Sequence, residues 1–409
     1  MRCGLLGRTL QHSYSPAIHS QLGAYSYDLF EVAPAQLEEF LRQGDWDGLN
    51  VTIPYKQAVI PYLDELTPAA RELGAVNTIL RQNGKLLGHN TDLAGFRAML
   101  KKSRLCVCGK KCLILGSGGA ARVVSAVLRE EKAQVIIISR RGENNYQNLH
   151  LHKDAALIVN ATPVGMYPDT GDSPVDLSQF PKLEGVLDLI YNPARTKLLL
   201  DAEKRSLTTM NGLWMLVAQA KEASQWFQGQ RVPDDRVPEI HQQLQLQMEN
   251  LILIGMPGCG KSTIGKELAA RTGRTFVDID TQVVNFAQKS IPQIFAEDGE
   301  IAFRALETRV LAEWGNRSAL VIATGGGCVT REENYPLLHQ NGRILWLQRQ
   351  IHLLPTKGRP LSQKGDLQQL YQHRKAMYEA FADLVIENQH TIEDTVDQIL
   401  HSICQGGSL

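Results

Sequence analysis

Lys111-Cys112-Leu113-Ile114-Leu115-Gly116-Ser117-Gly118-Gly119-Ala120-Ala121-Arg122 reads as a short apolar strand running straight into a glycine-rich turn. A helical stretch follows over Ala121 to Glu131, and a second apolar strand is expected from Gln134 to Ser139. At this spacing the elements form a βαβ unit, and the glycines of its turn let backbone amides close on a pyrophosphate at a helix N-terminus. Further along, Asn250-Leu251-Ile252-Leu253-Ile254-Gly255-Met256-Pro257-Gly258-Cys259-Gly260-Lys261-Ser262-Thr263 repeats the plan, with Gly273 as a helix cap and a strand expected at Thr275 to Ile279. Within it, Gly255-x-x-x-x-Gly260-Lys261-Ser262 is a complete Walker A pattern. Its amides cradle phosphates, Lys261 reaches the β and γ oxygens, and Ser262 offers a hydroxyl to Mg²⁺.

Two such units, each with its own sheet, put the chain in the α/β class. A length of 409 residues accommodates two or three domains. The stretch between the units, Gln230 to Gln247, is polar and carries Pro233 and Pro238, with a last short helix expected from Pro238 to Leu246. Met248-Glu249-Asn250 then reads like the start of a second protein, so a fusion is expected with its join near Gln247. The expected domains are a substrate domain over residues 1–95, a Rossmann dinucleotide domain over 96–210 and a P-loop domain over 248–409. Helices within 211–245 are expected to pack back on the first of these.

Composition narrows the functional classes. Lys+Arg and Asp+Glu number 43 each, which excludes a strongly basic nucleic-acid binder and a disordered acidic tail. No apolar run approaches the roughly 18 residues needed to cross a bilayer, and the first residues, Met1 to Gly7, lack the apolar core of a signal peptide. An odd count of seven cysteines fits reduced thiols. The expectation is a cytoplasmic protein with small-molecule substrates and neither nucleic-acid nor membrane partners. On oligomeric state the sequence is silent.

The end of the second strand of the dinucleotide unit selects the cofactor. NAD calls for a carboxylate there and NADP for arginine. The residues present are Ser139-Arg140-Arg141, so NADP is expected, although two solvated arginines at a strand end would look the same. Three polar groups lie ahead of this unit: Ser13-Tyr14-Ser15-Pro16 before a helix expected over Ala17 to Leu22, Asn50-Val51-Thr52-Ile53-Pro54-Tyr55-Lys56 on a strand that turns at Pro54, and Asn90-Thr91-Asp92 before a helix from Leu93. Taken singly, Ser15-Pro16 and Asn90-Thr91-Asp92 read first as helix N-caps, and Lys56 as a solvated surface lysine.

Taken together, and with Gly74-Ala75-Val76-Asn77-Thr78, Asn160-Ala161-Thr162-Pro163-Val164-Gly165-Met166 and Gly212-Leu213-Trp214-Met215-Leu216-Val217-Ala218-Gln219, these motifs make residues 1 to about 245 resemble shikimate dehydrogenase. The resemblance implies reduction of the 3-keto group of 3-dehydroshikimate with NADPH. It places the substrate carboxylate on Ser13, Ser15 and Tyr191, its hydroxyls on Thr52, Asn77 and Gln219, and Lys56 with Asp92 at the reacting centre. Gly116, Gly118, Gly119, Ala120, Arg140, Arg141 and Gly212 are the residues expected to hold NADP(H). Trp214 stands where the family has glycine, which is expected to narrow the nicotinamide pocket.

In the second half, Asp278-Ile279-Asp280 is expected to end a strand at the carboxyl edge of a parallel sheet, alternation pointing both acids to one site. One acid suits Mg²⁺ through water and the other an alcohol, although a helix-capping pair before Thr281 would read alike. Gly325-Gly326-Gly327 follows a strand expected over Leu320 to Thr324 and permits close approach of a small ligand. Arg304 and Arg374 suit an anionic substrate, and Lys357-Gly358-Arg359-Pro360 suits a lid whose Arg359 meets the transferring phosphoryl group.

From about residue 248 to 404 the chain resembles shikimate kinase, a nucleoside-monophosphate-kinase-like P-loop fold. The carrying motifs are the Walker A loop, Phe276-Val277-Asp278-Ile279-Asp280, Ile291 to Glu297 running on to Phe303-Arg304, Thr324 to Gly327, Arg359-Pro360-Leu361 and Arg374-x-x-x-Tyr378. The resemblance implies that shikimate rests on Asp280, Arg304, Gly326 and Arg374. It implies that ATP with Mg²⁺ rests on Gly258, Gly260, Lys261, Ser262 and Thr263, with Ser262 and Asp278 serving the metal. Gln350 to Thr356 lacks an arginine that some members place over the adenine. Cys106-x-Cys108-x-x-x-Cys112, with His150 and His152, fits no standard zinc spacing.

The expected protein is therefore bifunctional, forming shikimate and then shikimate 3-phosphate. The rivals are a first half that accepts quinate or NAD, and a domain retained only for binding or regulation.

Overall fold

The first strand, β1 (Arg2–Gly7), pairs in parallel with β2 (Ser26–Glu31) and β3 (Gly48–Val51). With β4 (Glu65–Leu66), β5 (Thr78–Gln82) and β6 (Lys85–His89) these make a mixed sheet ordered β2-β1-β3-β5-β6-β4. The computed structural model describes residues 1–10, 13–354 and 367–405. Its contacts divide the chain into Met1–Tyr191 with Leu198–Gln243, and Asn192–Lys197 with Leu244–Leu409. Both mixed and dinucleotide sheets belong to the first of these units.

The dinucleotide sheet comprises β7 (Lys111–Leu115), β8 (Gln134–Ile138), β9 (Leu157–Asn160), β10 (Gly185–Asp188) and β11 (Thr208–Met210), ordered β11-β10-β9-β7-β8 and parallel throughout. Period-2 alternation explains why β7 is apolar on both faces. Cys112 and Ile114 pack with Phe96, Met99, Val124 and Val127, whereas Leu113 and Leu115 pack with Phe180, Leu198, Leu199 and Ala202. Because β8 and β9 flank β7 on opposite sides, the chain reverses direction of travel at β7. The crevice outside the carboxyl ends of β7 and β9 is thus the expected ligand position.

The second unit holds β12 (Asn250–Ile254), β13 (Thr275–Asp278), β14 (Leu320–Ala323), β15 (Gly342–Gln348) and β16 (Leu384–Glu387) in the parallel order β13-β14-β12-β15-β16. The P-loop strand is therefore central, with β14 on one flank and β15 on the other. Among the described residues no helix is long and apolar enough to cross a membrane.

Several expected boundaries shift. The first helix is Ser15–His19, not Ala17 to Leu22, and the glycine-turn helix is Gly119–Glu130. The last helix of the first half runs Arg236–Met248, through the residue read as a new start. The strand after the P-loop helix stops at Asp278, and Ile279–Ala287 is helical. Sheet alternation therefore does not align Asp278 with Asp280. Asp278 is the N-cap, its Oδ1 accepting from Thr281 N at 3.2 Å, and Asp280 sits in the first turn. Helical continuation wins because a capped turn satisfies amides that a lengthened edge strand leaves open.

Candidate active sites

In the first unit, Lys56 follows the cis Ile53–Pro54 bond on a short helix, Tyr55–Ala58, beyond the end of β3. Asp92 opens the helix Asp92–Ser103 beyond β6. Lys56 Nζ donates to Asp92 Oδ2 at 2.7 Å, the lysine side chain 33% exposed and the carboxylate 14%. A pair so placed is open to a ligand on the ammonium side and held on the acid side. Asn77 Nδ2 donates to Asp92 Oδ1 at 2.9 Å, to Thr91 Oγ1 at 3.0 Å and to Gln219 Oε1 at 3.4 Å. Thr91 N returns a bond to Asn77 Oδ1 at 2.7 Å.

These contacts displace the capping readings. Thr91 occupies the N-cap position without a side-chain cap bond, and it is Asn90 Oδ1 that accepts from Asp92 N at 3.0 Å. Ser15 is helical rather than a cap, its N–H donating to Ser13 Oγ at 3.2 Å. Sequence reasoning gave Thr91 no role of its own. It is fully buried and donates to Gln219 Oε1 at 3.2 Å. Tyr14 meets the Tyr191 ring edge-on at 6.2 Å, and burial raises both phenol pKa values. Thr52 is half-buried.

At the glycine turn, Gly116 has φ +105°, and a Cβ there would stand 3.0 Å from Ala161 O of the loop after β9. Above Gly118 and Gly119 nothing lies within 4 Å of a Cβ position. The residues present thus fit a dinucleotide: an open cradle at a helix N-terminus, set at the crevice between β7 and β9. Asn160 Nδ2 braces that crevice, donating to the buried Asp188 Oδ1 at 3.0 Å. Arg140 and Arg141 are exposed at the end of β8, with no ion pair among the described residues. Gly212 is demanded by packing, since a Cβ would fall 2.0 Å from Leu189 O. The Trp214 ring lies against Lys102, whose Nζ is 4.8 Å from the ring centre, and against His241 at 5.2 Å, where it joins the apolar cluster behind the sheet.

In the second unit a cavity of about 690 Å³ is lined by the P-loop, Asp278, Asp280, the triple glycine, Arg304, Arg349 and Arg374. Gly258 and Gly260 take positive φ values of +86° and +98°. Lys261 is buried, and its Nζ donates to Gly255 O at 2.9 Å and Met256 O at 3.1 Å. Ser262 Oγ donates to Asp278 Oδ2 at 2.5 Å, and Thr263 also lines the cavity. Convergent hydroxyl and carboxylate oxygens fit Mg²⁺, which takes hard oxygen donors and keeps several waters.

Across the cavity, Arg304 Nη1 donates to Glu307 Oε2 at 2.7 Å and Nη2 to Glu300 Oε1 at 3.3 Å. Burial raises the Glu307 pKa, against the lowering effect of Arg304. A Cβ on Gly327 would fall 2.1 Å from Arg304 Nη2, and one on Gly325 would fall 3.0 Å from Asp280 Oδ1. The glycines therefore let both side chains lie directly on the strand end. Arg374 Nη1 and Tyr378 OH donate to Gly326 O at 3.0 and 2.5 Å. The sequence reading missed Glu307, although its i,i+3 spacing from Arg304 was visible. Arg359 and the expected lid, Lys357 to Pro360, lie outside the described residues.

A dinucleotide crevice beside a lysine–carboxylate pair, on one chain with a P-loop beside arginines and acids, defines an oxidoreductase joined to a phosphotransferase. A model described as shikimate dehydrogenase substrate binding domain matches residues 5–79, and one described as shikimate kinase matches residues 257–404. A shikimate dehydrogenase (NADP(+)) of Symbiobacterium thermophilum is 39% identical over 265 residues, covering 57% of this chain and 90% of that protein. Among solved structures, a chorismate mutase/shikimate 5-dehydrogenase fusion from Clostridium acetobutylicum is 37% identical with a TM-score of 0.58, covering 60% of this chain and 97% of that one. A Thermus thermophilus shikimate 5-dehydrogenase in complex with NADP(H) and shikimate is 32% identical with a TM-score of 0.54, covering 59% and 99%. The chain belongs to the shikimate dehydrogenase family and carries a shikimate kinase domain at its C-terminal end.

Proposed function

We propose that the first unit reduces 3-dehydroshikimate to shikimate and the second phosphorylates that shikimate at its 3-hydroxyl. The carrying observation is the Lys56–Asp92 pair, anchored by Asn77, on the same chain as a P-loop facing Asp280 and Arg304. NADPH, when bound, supplies the hydride. Hydride delivery to a carbonyl carbon leaves an oxygen that needs a proton, which Lys56 donates while Asp92 fixes the ammonium. Ser13, Ser15 and Tyr191 receive the carboxylate, and Thr52, Asn77 and Gln219 the hydroxyls. Gly116, Gly118, Gly119 and Ala120 hold the pyrophosphate, with Arg140 and Arg141 on the 2′-phosphate.

In the kinase unit, Asp280 orients the 3-hydroxyl and takes up its proton as the new O–Pγ bond forms and the bond from Pγ to the β–γ bridging oxygen breaks, releasing ADP. Arg304 and Arg374, steadied by Glu307 and Gly326 O, receive the carboxylate. Lys261 and the amides of Gly258, Gly260, Ser262 and Thr263 bind the phosphates. Mg²⁺, when bound with ATP, screens their charge; Ser262 and Asp278 would hold it. We assign residues 1–95 with 211–245 to the substrate domain, 96–210 to the dinucleotide domain and 248–409 to the kinase. All seven cysteines are unpaired, which supports a cytoplasmic location.

One incubation with 3-dehydroshikimate, NADPH and MgATP, read by mass spectrometry, tests the reading. Shikimate 3-phosphate is the expected product. Shikimate accumulating alone removes the kinase assignment, and unchanged 3-dehydroshikimate removes the dehydrogenase assignment.

A further inference from the structure

Arg349 is the first residue beyond β15 and lines the P-loop cavity. Its Nε is buried and has no hydrogen-bond partner, and the side chain makes no ion pair among the described residues. Of the cavity's other guanidiniums, Arg304 is held by Glu307 and Glu300, and Arg374 donates Nη1 to Gly326 O while its buried Nε also lacks a partner, so Arg349 is the one of the three with neither an ion pair nor a hydrogen bond among the described residues. A guanidinium stays charged in proteins, and burying one of its donors unpaired is costly, so an anion is the natural partner.

Sheet order indicates which anion. The P-loop strand β12 separates β14, which carries the triple glycine, from β15. Asp280 and Arg304 adjoin that glycine run, so the acceptor side of the cavity lies on the β14 flank. On the other flank, Ile254 is in register with Trp346, and a Cβ on Gly255 would stand 2.6 Å from Leu347 O. Two residues further, Arg349 lines the same cavity as Pro257 and Gly258 of the P-loop.

We propose that Arg349 binds phosphate oxygens of the nucleoside triphosphate, adding a cation that the Walker A motif does not supply. This rests on the kinase reading for the reaction, yet phosphate binding is measured without it. MgADP is titrated calorimetrically into the full chain and its Arg349→Gln and Arg349→Lys variants, with shikimate titrated in parallel. Loss of a charge-assisted bond to phosphate predicts MgADP affinity weakened about tenfold or more in Arg349→Gln. Arg349→Lys, a point charge without the fork, falls between the two. Shikimate affinity stays within about twofold, roughly 0.4 kcal/mol. MgADP affinity within twofold of the parent in both variants overturns the proposal. Joint loss of shikimate and MgADP binding in both variants assigns Arg349 to structure and also overturns it. A parent chain that binds MgADP but does not phosphorylate shikimate removes the kinase reading and leaves the binding comparison in force.

Discussion

Asn77 Nδ2 donates to Gln219 Oε1 across 3.4 Å, although the two residues stand 142 positions apart. A side-chain amide has two N–H donors, and Asn77 spreads them over Thr91, Asp92 and Gln219 at 3.0, 2.9 and 3.4 Å. If Asn77 and Gln219 bind substrate hydroxyls, the 3.4 Å contact between them is the weakest to give up. Gln219→Ala should therefore raise the KM for shikimate about tenfold, the loss of one well-placed hydrogen bond, with the fold intact. Asn77→Ala also strips Thr91 N of its acceptor, and should destabilise the first unit by about 1–3 kcal/mol. Steady-state rates and urea midpoints separate the two. Equal stability loss in both variants would remove the distinction.

Lys56 and Lys261 lie in different units. Lys56→Ala should lower dehydrogenase kcat by about 10²–10⁴, the usual worth of a positioned proton donor. Shikimate kinase turnover should stay unchanged. Lys261→Ala should do the reverse. Loss of both activities in either variant would contradict two independent sites.

Ser262 and Asp278 meet at 2.5 Å. If they hold Mg²⁺, Ser262→Ala and Asp278→Asn should both raise the Mg²⁺ concentration that gives half-maximal kinase rate, by about tenfold. Dehydrogenase turnover should be indifferent to added EDTA. An unshifted Mg²⁺ titration in both variants leaves Asp278 only its role as cap of the helix Ile279–Ala287, with Ser262 as its hydrogen-bond partner.

Much of this was legible in sequence because local pattern and tertiary role coincide. The β7–turn–helix unit and the P-loop announce themselves, since apolar runs must be strands between helical layers and glycines must permit positive φ. Asp278 and Asp280 were recognised as site residues for a wrong geometric reason, because a strand end and a capped helix start share the same residues. Thr91 was hidden. Its position reads as a cap, and its true partners come from residues 77 and 219, far off in sequence. Glu307 was passed over because acids inside helices are ordinarily solvated, whereas this one is fully buried against Arg304. Trp214 shows its neighbours only in three dimensions, because Lys102 and His241, which its ring meets, lie far from it in sequence.

Glu307 offers a test of that buried pair. Truncating one partner of a buried ion pair costs up to about 3–5 kcal/mol, and without Glu307 Arg304 keeps only its longer contact with the half-exposed Glu300. Glu307→Ala should therefore lower kinase-unit stability by that order, read as the urea midpoint of kinase activity. Glu307→Gln, which keeps the shape, should cost less yet still raise the KM for shikimate by loosening Arg304. A KM unchanged in Glu307→Gln would show that Arg304 needs no such support.

The pH response of the first unit follows from His19. Its side chain is 1% exposed, stacks on Tyr27 at 4.0 Å, and has Nδ1 2.7 Å from Tyr25 OH. Burial lowers its pKa from 6.5 to about 3, against a smaller raising effect of Asn50. Below pH 6.5 the unfolded chain takes up a proton that the native ring refuses until about pH 3. Stability from this group is complete above pH 6.5 and falls with acid, by at most about 1.4 kcal/mol per pH unit. His89 and His241, each lowered to about 4 by burial, act with the same sign. Urea midpoints of dehydrogenase activity should therefore drop steadily between pH 6.5 and 4.5. His19→Gln, neutral throughout, should start less stable at pH 7 but decline with a shallower slope. Parallel slopes in the parent and the variant would show that His19 is not the group the acid attacks.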